Sequence, residues 1–291
     1  MQKFHKISIG AAQFGMLYSI GASSKVEINE IKKILTYANE MGINSIDTAA
    51  VYGLSEEILG KIGVKDWSIT SKLSPVPETS QDIRLWVKNE VKRTLVNLKV
   101  DCLDTFLIHK PDQLNLSFGD EIYIGLEELK KDGLIKKHGV SLYNLGDINL
   151  YNKKSYNFDV FQIPFNIVDK DLIDSGVAID LKKEGKFIQT RSAFLQGLLL
   201  SKKHQMSERF QKWSPFWDSY NEWLDTENIT ALQACINYVY FQENIDKVII
   251  GVLNLNQLKE ILENISKPEY RIPDFIIDEK EKLLNPSNWM S

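Results

Sequence analysis

The sequence predicts an α/β protein built as a closed (β/α)8 TIM barrel, with a long insertion after the seventh strand and an extra C-terminal helix. Three observations predict it. Short apolar strands alternate with amphipathic helices along the 291 residues in eight units, which argues a parallel sheet closed on itself. No Gly-rich phosphate loop follows the first strand, which counts against the runner-up, an open doubly wound sheet. No composition shift or linker divides the chain, so residues 1–291 read as one domain, with 198–228 a loop insertion and 267–291 a C-terminal extension.

The elements follow in order. Ile7-Ser8-Ile9-Gly10 reads as a strand that ends in the small-residue turn Gly10-Ala11-Ala12-Gln13-Phe14-Gly15. Ile28, Ile31, Ile34, Leu35, Ala38 and Met41 recur at helical spacing and stop at Gly42. Ser45–Asp47 is the second strand, Ser55–Ile62 a short helix, and Trp67–Lys72 alternates as a third strand. Past Pro75 and Pro77, Ile83–Leu98 is helical, and Cys102–Ile108 is a strongly apolar strand closed by His109-Lys110-Pro111-Asp112. Ile122–Lys131 (helix, stopped by Gly133), Ile135–Ser141 (strand) and Leu145–Tyr151 (helix) continue the rhythm. So do the strand Val160–Pro164, the helix Leu172–Lys183 stopped by Gly185, and the strand Phe187–Ser192. Residues 198–228 break it: they are polar, with Phe210, Trp213, Phe216, Trp217, Tyr220 and Trp223 interleaved as a helix packing stripe. Ile229–Gln242 (helix), Val248–Gly251 (strand) and Asn256–Ile265 (helix) complete the eight units, and Phe275–Leu284 is a last helix in the tail.

Composition narrows the function. Hydrophobic residues at 43% and charged residues at 25% are those of an ordinary globular protein able to bury a large core without staples. A net charge of −4 with both signs interspersed excludes the footprint of a nucleic-acid binder. The two cysteines, Cys102 and Cys235, sit in apolar runs and read as buried thiols, with no disulfide and no metal site. No apolar run is long enough to span a membrane, and the start leads straight into a strand without a signal peptide. A cytoplasmic enzyme or binding protein, monomeric or weakly homo-oligomeric, is the expectation.

In a barrel of this kind, chemistry gathers at the carboxyl ends of the strands. The polar residues there are Gln13, Asp47, Tyr52, Lys72, His109, Ser141, Gln162, Arg191 with Ser192, and the stretch after Gly251. Asp47, Lys72 and His109 close consecutive strands, and Tyr52 hangs from the loop after the second, so the four should surround one point of the rim. Chemically they fit together. A free phenol, with a pKa near ~10, protonates little at neutral pH. A nearby ammonium favours the phenolate, a carboxylate keeps that lysine charged, and a histidine can donate a hydrogen bond that orients a carbonyl.

These stretches resemble the aldo-keto reductase family from about Ile7 to Ile265. Gly42-Ile-Asn-Ser-Ile-Asp47-Thr-Ala-Ala-Val-Tyr52-Gly53-Leu-Ser-Glu-Glu-Ile-Leu-Gly60 resembles the acid-to-tyrosine motif. Ser71-Lys72 and Asp104-Thr-Phe-Leu-Ile-His109 resemble the lysine and histidine strand ends. Gly133-Leu-Ile-Lys-Lys-His-Gly139-Val140-Ser141 and Phe161-Gln162-Ile-Pro-Phe-Asn166 resemble the segments that hold the nicotinamide amide. The resemblance implies the barrel fold, an NADP(H) or NAD(H) cofactor extended across the rim, and reduction of a small carbonyl compound. Tyr52 would be the general acid, Lys72 and Asp47 its tuners, and His109 the orienter. It further implies cofactor contacts from Ala11, Asp47, Ser141, Gln162, Arg191, Ser192, Phe194, Gln196, Gly197, Gly251, Asn254, Gln257 and Glu260, and no metal. Gln13, Phe14, Tyr18, Phe165 and Trp213 are the candidates for a substrate wall.

The sequence departs from the family at three places. Leu142 stands where an asparagine often follows the amide-binding serine, which moves that contact to Asn144 or removes it. Arg191 stands where many members set an aromatic ring against the nicotinamide. Its charge is expected to favour the reduced cofactor or to bind an anionic part of the substrate. In Gly251-Val-Leu-Asn254-Leu-Asn-Gln257-Leu-Lys-Glu260-Ile261 the usual 2′-phosphate arginine or lysine is missing, leaving only Lys259, which leans toward dual or NAD use. The segments Ala12–Gly15 and Arg191–Leu200 resemble a bacterial branch associated with surface-sugar pathways, making a sugar carbonyl the substrate expectation. The alternative is a cofactor-binding sensor or partner subunit with little turnover.

Overall fold

Eight parallel strands close into a barrel, each hydrogen-bonded to the next in chain order and the last to the first. The computed structural model describes residues 4–17, 25–143, 145–148, 154–202, 206–285 and 288–289. The strands are β1 (Ile7–Gly10), β2 (Ser45–Asp47), β3 (Ser68–Leu73), β4 (Leu103–Ile108), β5 (Ile135–Ser141), β6 (Val160–Pro164), β7 (Phe187–Arg191) and β8 (Lys247–Gly251). Around them run α1 (Ile28–Glu40), α2 (Ser55–Ile62), α3 (Ile83–Leu98), α4 (Gly119–Lys131), α5 (Asp171–Asp174), α6 (Val177–Lys183), α7 (Ser214–Thr226), α8 (Ala231–Tyr240), α9 (Leu255–Glu263) and α10 (Lys280–Leu284).

The strands are buried almost throughout because helices cover one face and barrel side chains the other. Ile7, Ile9, Ile46, Leu103, Phe106 and Val160 are fully buried, each such apolar side chain contributing about 1.5–3 kcal/mol relative to exposure. Helix α1 turns Ile31, Ile34, Leu35 and Ala38 inward and leaves its charged residues outside. Helix starts are fixed locally: the Asp82 carboxylate accepts from Leu85 N–H, and Thr230 with Gln233 makes a reciprocal capping box on α8. Gly139 lies where β5 meets β6, and a Cβ there would stand 1.9 Å from the Val160 carbonyl oxygen, so the barrel closes at this point only around a glycine.

Three expectations are corrected. The helix expected over Leu172–Lys183 is two pieces, α5 and α6, because Gly176 takes φ +79° between them and breaks the ladder. The helix expected over Phe275–Leu284 is only α10, and Phe275 and Ile277, ahead of it and outside any helix, lie against the insertion. The 198–228 insertion is a helix rather than a loop over Ser214–Thr226. Its buried Phe216, Trp217, Tyr220 and Trp223 form the expected stripe and pack with Tyr270, Phe275, Leu283 and Trp289 of the tail. The helix expected over Leu145–Tyr151 and the residues Tyr18, Asn144 and His204 lie wholly or partly outside the described residues. Cys235 is buried and Cys102 half-buried, and neither forms a disulfide.

Candidate active site

The site begins with the loop after β2. Ala11 N–H donates to the Asp47 carbonyl at 2.8 Å, which ties the ends of β1 and β2 together. Ser55 Oγ then bridges Thr48 Oγ1 at 3.0 Å and the Ala11 carbonyl at 2.9 Å. Between these ties the chain turns over Tyr52, whose carbonyl accepts from Ser55 N–H. Gly15 makes the turn possible, since a Cβ there would stand 1.8 Å from the Tyr52 carbonyl oxygen.

Beneath the loop lies a buried ion pair. Lys72 Nζ donates to Asp47 Oδ1 at 2.6 Å and to the Thr48 carbonyl at 2.9 Å. Both side chains are nearly sealed from water, at 1% and 6% exposure, so neither charge is tolerable without the other. The same ammonium stands 5.0 Å from the centre of the Tyr52 ring, and His109 meets that ring edge-on at 5.7 Å. All four predicted residues therefore converge on one point of the rim.

Support for Lys72 comes from a residue that the sequence motif quoted without explaining. Glu56, 3% exposed on α2, accepts from Ser71 Oγ at 2.7 Å and from Thr94 Oγ1 at 3.0 Å. It fixes the β3 backbone next to Lys72 and joins β3 to α2 and α3. A second buried chain crosses the barrel. Gln162 Nε2 donates to Asp47 Oδ2 at 2.7 Å and to Gln189 Oε1 at 3.0 Å, and Gln189 Nε2 donates to Thr70 Oγ1 at 3.0 Å. Polar networks that are satisfied in this way hold one geometry.

His109 is held neutral. Burial first, then the charges of Lys72 and Arg191, push its pKa down to about 3. The imidazole can thus orient a carbonyl oxygen but holds no proton to give near neutrality. In the unfolded chain it titrates at its ordinary value near 6.5, so between about 3 and 6.5 the unfolded state binds the extra proton. Stability contributed by this group is therefore full above 6.5 and declines as pH falls, by ~1.4 kcal/mol per unit at most. The expected result is an activity profile without an imidazole limb near pH 6.5, and His109 ring resonances in NMR that stay constant from pH 8 down to about 4. An inflection that follows a His109 resonance near pH 6.5 would contradict the buried geometry.

A cavity of about 790 Å³ runs from this point along the rim, within the range that holds small ligands and cofactors. Its wall includes Gln13, Asp47, Tyr52, Gln257, Glu260 and Ile261. Ala11, Arg191, Ser192, Phe194, Gln196, Gly197 and Gly251 also line it. The loop Ser192–Gly197 carries positive φ at Ser192, Leu195, Gln196 and Gly197, so the backbone strain collects on the cavity wall.

Other expected contacts lie elsewhere. Ser141 and Gln162 are buried off the wall, bonded to each other at 3.2 Å. Asn254 is off it too, because its side-chain oxygen accepts Gln257 N–H at 2.9 Å and caps α9. Three substrate candidates are corrected by burial. Phe14 and Phe165 are fully buried in the core, Phe165 stacked on Tyr238 at 5.1 Å. Trp213 donates its indole N–H to the Asp278 carbonyl at 2.7 Å and packs in the insertion–tail cluster. Sequence reasoning missed Ser201, Lys202, Asn221, Thr230 and Leu232, which also line the cavity. They come from the insertion and its flanks, where no motif marks them.

On the carboxyl rim of a parallel barrel, a phenol that lines a cavity is flanked by a buried ion pair and by a neutral imidazole that stands behind the wall, an arrangement able to move a proton. The model of the Aldo/keto reductase family matches residues 6–275. The oxidoreductase YqkF of Bacillus subtilis is 27% identical over 259 residues, 81% of this chain and 82% of that protein. Glyoxal reductase of the same organism is 27% identical over 208 residues, 67% and 70% of the two chains. In structure, the holo form of aldo-keto reductase AKR11C1 from Bacillus halodurans superposes with a TM-score of 0.71 at 20% identity, over 98% of this chain and 94% of that one. The chain belongs to the aldo-keto reductase family. It is an NAD(P)-dependent oxidoreductase that acts on small carbonyl compounds.

Proposed function

We propose that the protein reduces a small aldehyde or ketone to the alcohol with Tyr52 as the proton donor, and that it uses both NADH and NADPH without strong selectivity for NADPH. The observation that carries the first part is the buried Lys72–Asp47 pair set beneath the Tyr52 ring with His109 edge-on to it. A reduced nicotinamide supplies the hydride when bound. The residues of the chain do the rest: neutral His109 orients the carbonyl oxygen, the Tyr52 hydroxyl gives it a proton, and the Lys72 ammonium stabilises the phenolate left behind. Asp47 keeps that ammonium charged out of water.

The cavity suits an extended dinucleotide in size and in its glycine-lined walls at Gly10, Gly197 and Gly251. Ser141 and Gln162 would take the nicotinamide amide by exchanging their mutual hydrogen bond. Gln257 and Glu260 line the same cavity. A 2′-phosphate there would meet the Glu260 carboxylate, and Lys259 is turned onto the Tyr37 ring, 5.4 Å away. A ribose hydroxyl suits an acidic neighbour better than a second phosphate does. The finer substrate reading, a sugar carbonyl, rests on the resemblance of Ala12–Gly15 and Arg191–Leu200 to the surface-sugar branch.

The test is turnover of a panel of aldehydes, ketones and aldoses by purified protein with NADH and NADPH side by side. Carbonyl-dependent oxidation of both cofactors is expected, with less than about tenfold preference for NADPH in kcat/KM. Tight cofactor binding without turnover on any carbonyl would instead favour a sensor or partner subunit. Strong NADPH selectivity would overturn the cofactor reading alone.

A further inference from the structure

We propose that Arg191 sets the redox preference of the cofactor site, binding reduced nicotinamide in preference to oxidised and so poising the enzyme for reduction. The inference rests on the cofactor reading given above.

Arg191 ends β7 and lines the cavity together with Asp47 and Tyr52. Its fork is anchored: Nη2 donates to the Leu142 carbonyl at 2.7 Å and Nη1 to Ser192 Oγ at 3.3 Å. The guanidinium carbon stands 5.4 Å from the centre of the Tyr143 ring. The side chain thus reaches across β6 to the residue that follows Ser141, beside the position assigned to the nicotinamide amide. Its rotamer is held before any ligand arrives.

What the fork lacks is a counter-charge. Both of its acceptors are neutral, and among the described residues no carboxylate makes an ion pair with it. The other cation nearby, Lys72, is met by Asp47 at 2.6 Å. Asp169 feels the arginine's charge without pairing with it, and burial holds that carboxyl up at about 6. The wall beside Tyr52 therefore carries one positive charge that nothing described there cancels at contact. Its field reaches the catalytic histidine, since Arg191 helps to push the His109 pKa down.

An oxidised nicotinamide ring is cationic and a reduced one is neutral. In a partly solvated cleft, repulsion between two unit charges several ångströms apart is worth about tenfold to a hundredfold in an equilibrium constant. That repulsion acts on the oxidised form only. An aromatic side chain in the same place would stack on both forms without this penalty.

The experiment measures dissociation constants of NADH, NAD⁺, NADPH and NADP⁺ for the wild type, Arg191→Gln and Arg191→Lys, by fluorescence and calorimetry, without substrate. The wild type is expected to bind the reduced forms more tightly. In Arg191→Gln the reduced-to-oxidised ratio should fall at least about tenfold, mainly because the oxidised forms bind better. Arg191→Lys, which keeps the charge, should retain most of the ratio. Should Arg191→Gln fail to fold, Arg191→Met carries the same comparison. An equal loss for both redox forms would overturn the inference, because a residue that only holds phosphates or the fold does not distinguish them. A ratio unchanged in Arg191→Gln would also overturn it. Failure of the wild type to bind any nicotinamide cofactor would sink the cofactor reading itself, and the inference with it.

Discussion

Replacing Tyr52 with phenylalanine is expected to lower kcat for carbonyl reduction by about 10²–10⁴-fold while leaving cofactor affinity unchanged. The substitution removes one oxygen. The ring keeps its edge contact with His109 and its place 5.0 Å from the Lys72 ammonium, and the loop ties through Ser55 and Ala11 do not involve the hydroxyl. Folding should therefore be intact, which a thermal melt checks. No neighbour can take over. The imidazole of His109, with its pKa near 3, holds no proton to give at neutral pH, and Lys72 is engaged by Asp47 and the Thr48 carbonyl. The informative comparison is kcat against the cofactor dissociation constant. Loss of both would indicate that the loop has collapsed, whereas near-wild-type kcat would show that water or another group delivers the proton.

The fold was legible because short strand-forming runs alternate with amphipathic helical stripes, several of which stop at a glycine such as Gly42, Gly133 or Gly185. Of the candidate site, the part drawn from strand ends was legible too. Asp47, Lys72 and His109 are placed by barrel geometry alone, and Tyr52 by a loop of fixed length. The parts that escaped are placed by packing rather than pattern. Nothing local in the sequence separates Phe14, Phe165 and Trp213 from aromatics that line a pocket; their burial is decided by Tyr238, the tail and the neighbouring strands. Asn254 illustrates the competition between roles. A short polar side chain at a helix start is claimed by the backbone N–H of Gln257 before any ligand can claim it. The wall supplied by Asn221, Thr230 and Leu232 depends on how the insertion folds back, and no periodicity encodes that. Glu56 lay within a recognised motif, yet its three donors come from strand and helix positions far apart in sequence.

Lys72→Met should be the most damaging substitution for stability at the site, because it strips the partner from a carboxylate that is only 6% exposed. Asp47 would keep only the Gln162 amide, at 2.7 Å, against a charge buried to 6% exposure. Breaking a buried pair on one side costs about 3–5 kcal/mol, a fall in Tm of roughly 6–12 °C for a chain of this size. Asp47→Asn in the same background separates charge from packing. The double variant Asp47→Asn/Lys72→Met buries no charge, and its amide can still bond to Gln162, so most of the lost Tm should return. Activity should not return, because the ammonium that stabilises the Tyr52 phenolate is absent in both variants. If the double variant were no more stable than Lys72→Met, the loss would lie in the packing of the lysine stem rather than in an unpaired carboxylate. If activity came back with stability, Lys72 would be a structural counter-ion and the phenol would owe its acidity to something else. A stability gain without an activity gain is the outcome that assigns the pair both of its roles: Asp47 makes the buried ammonium tolerable, and the ammonium makes the phenol useful.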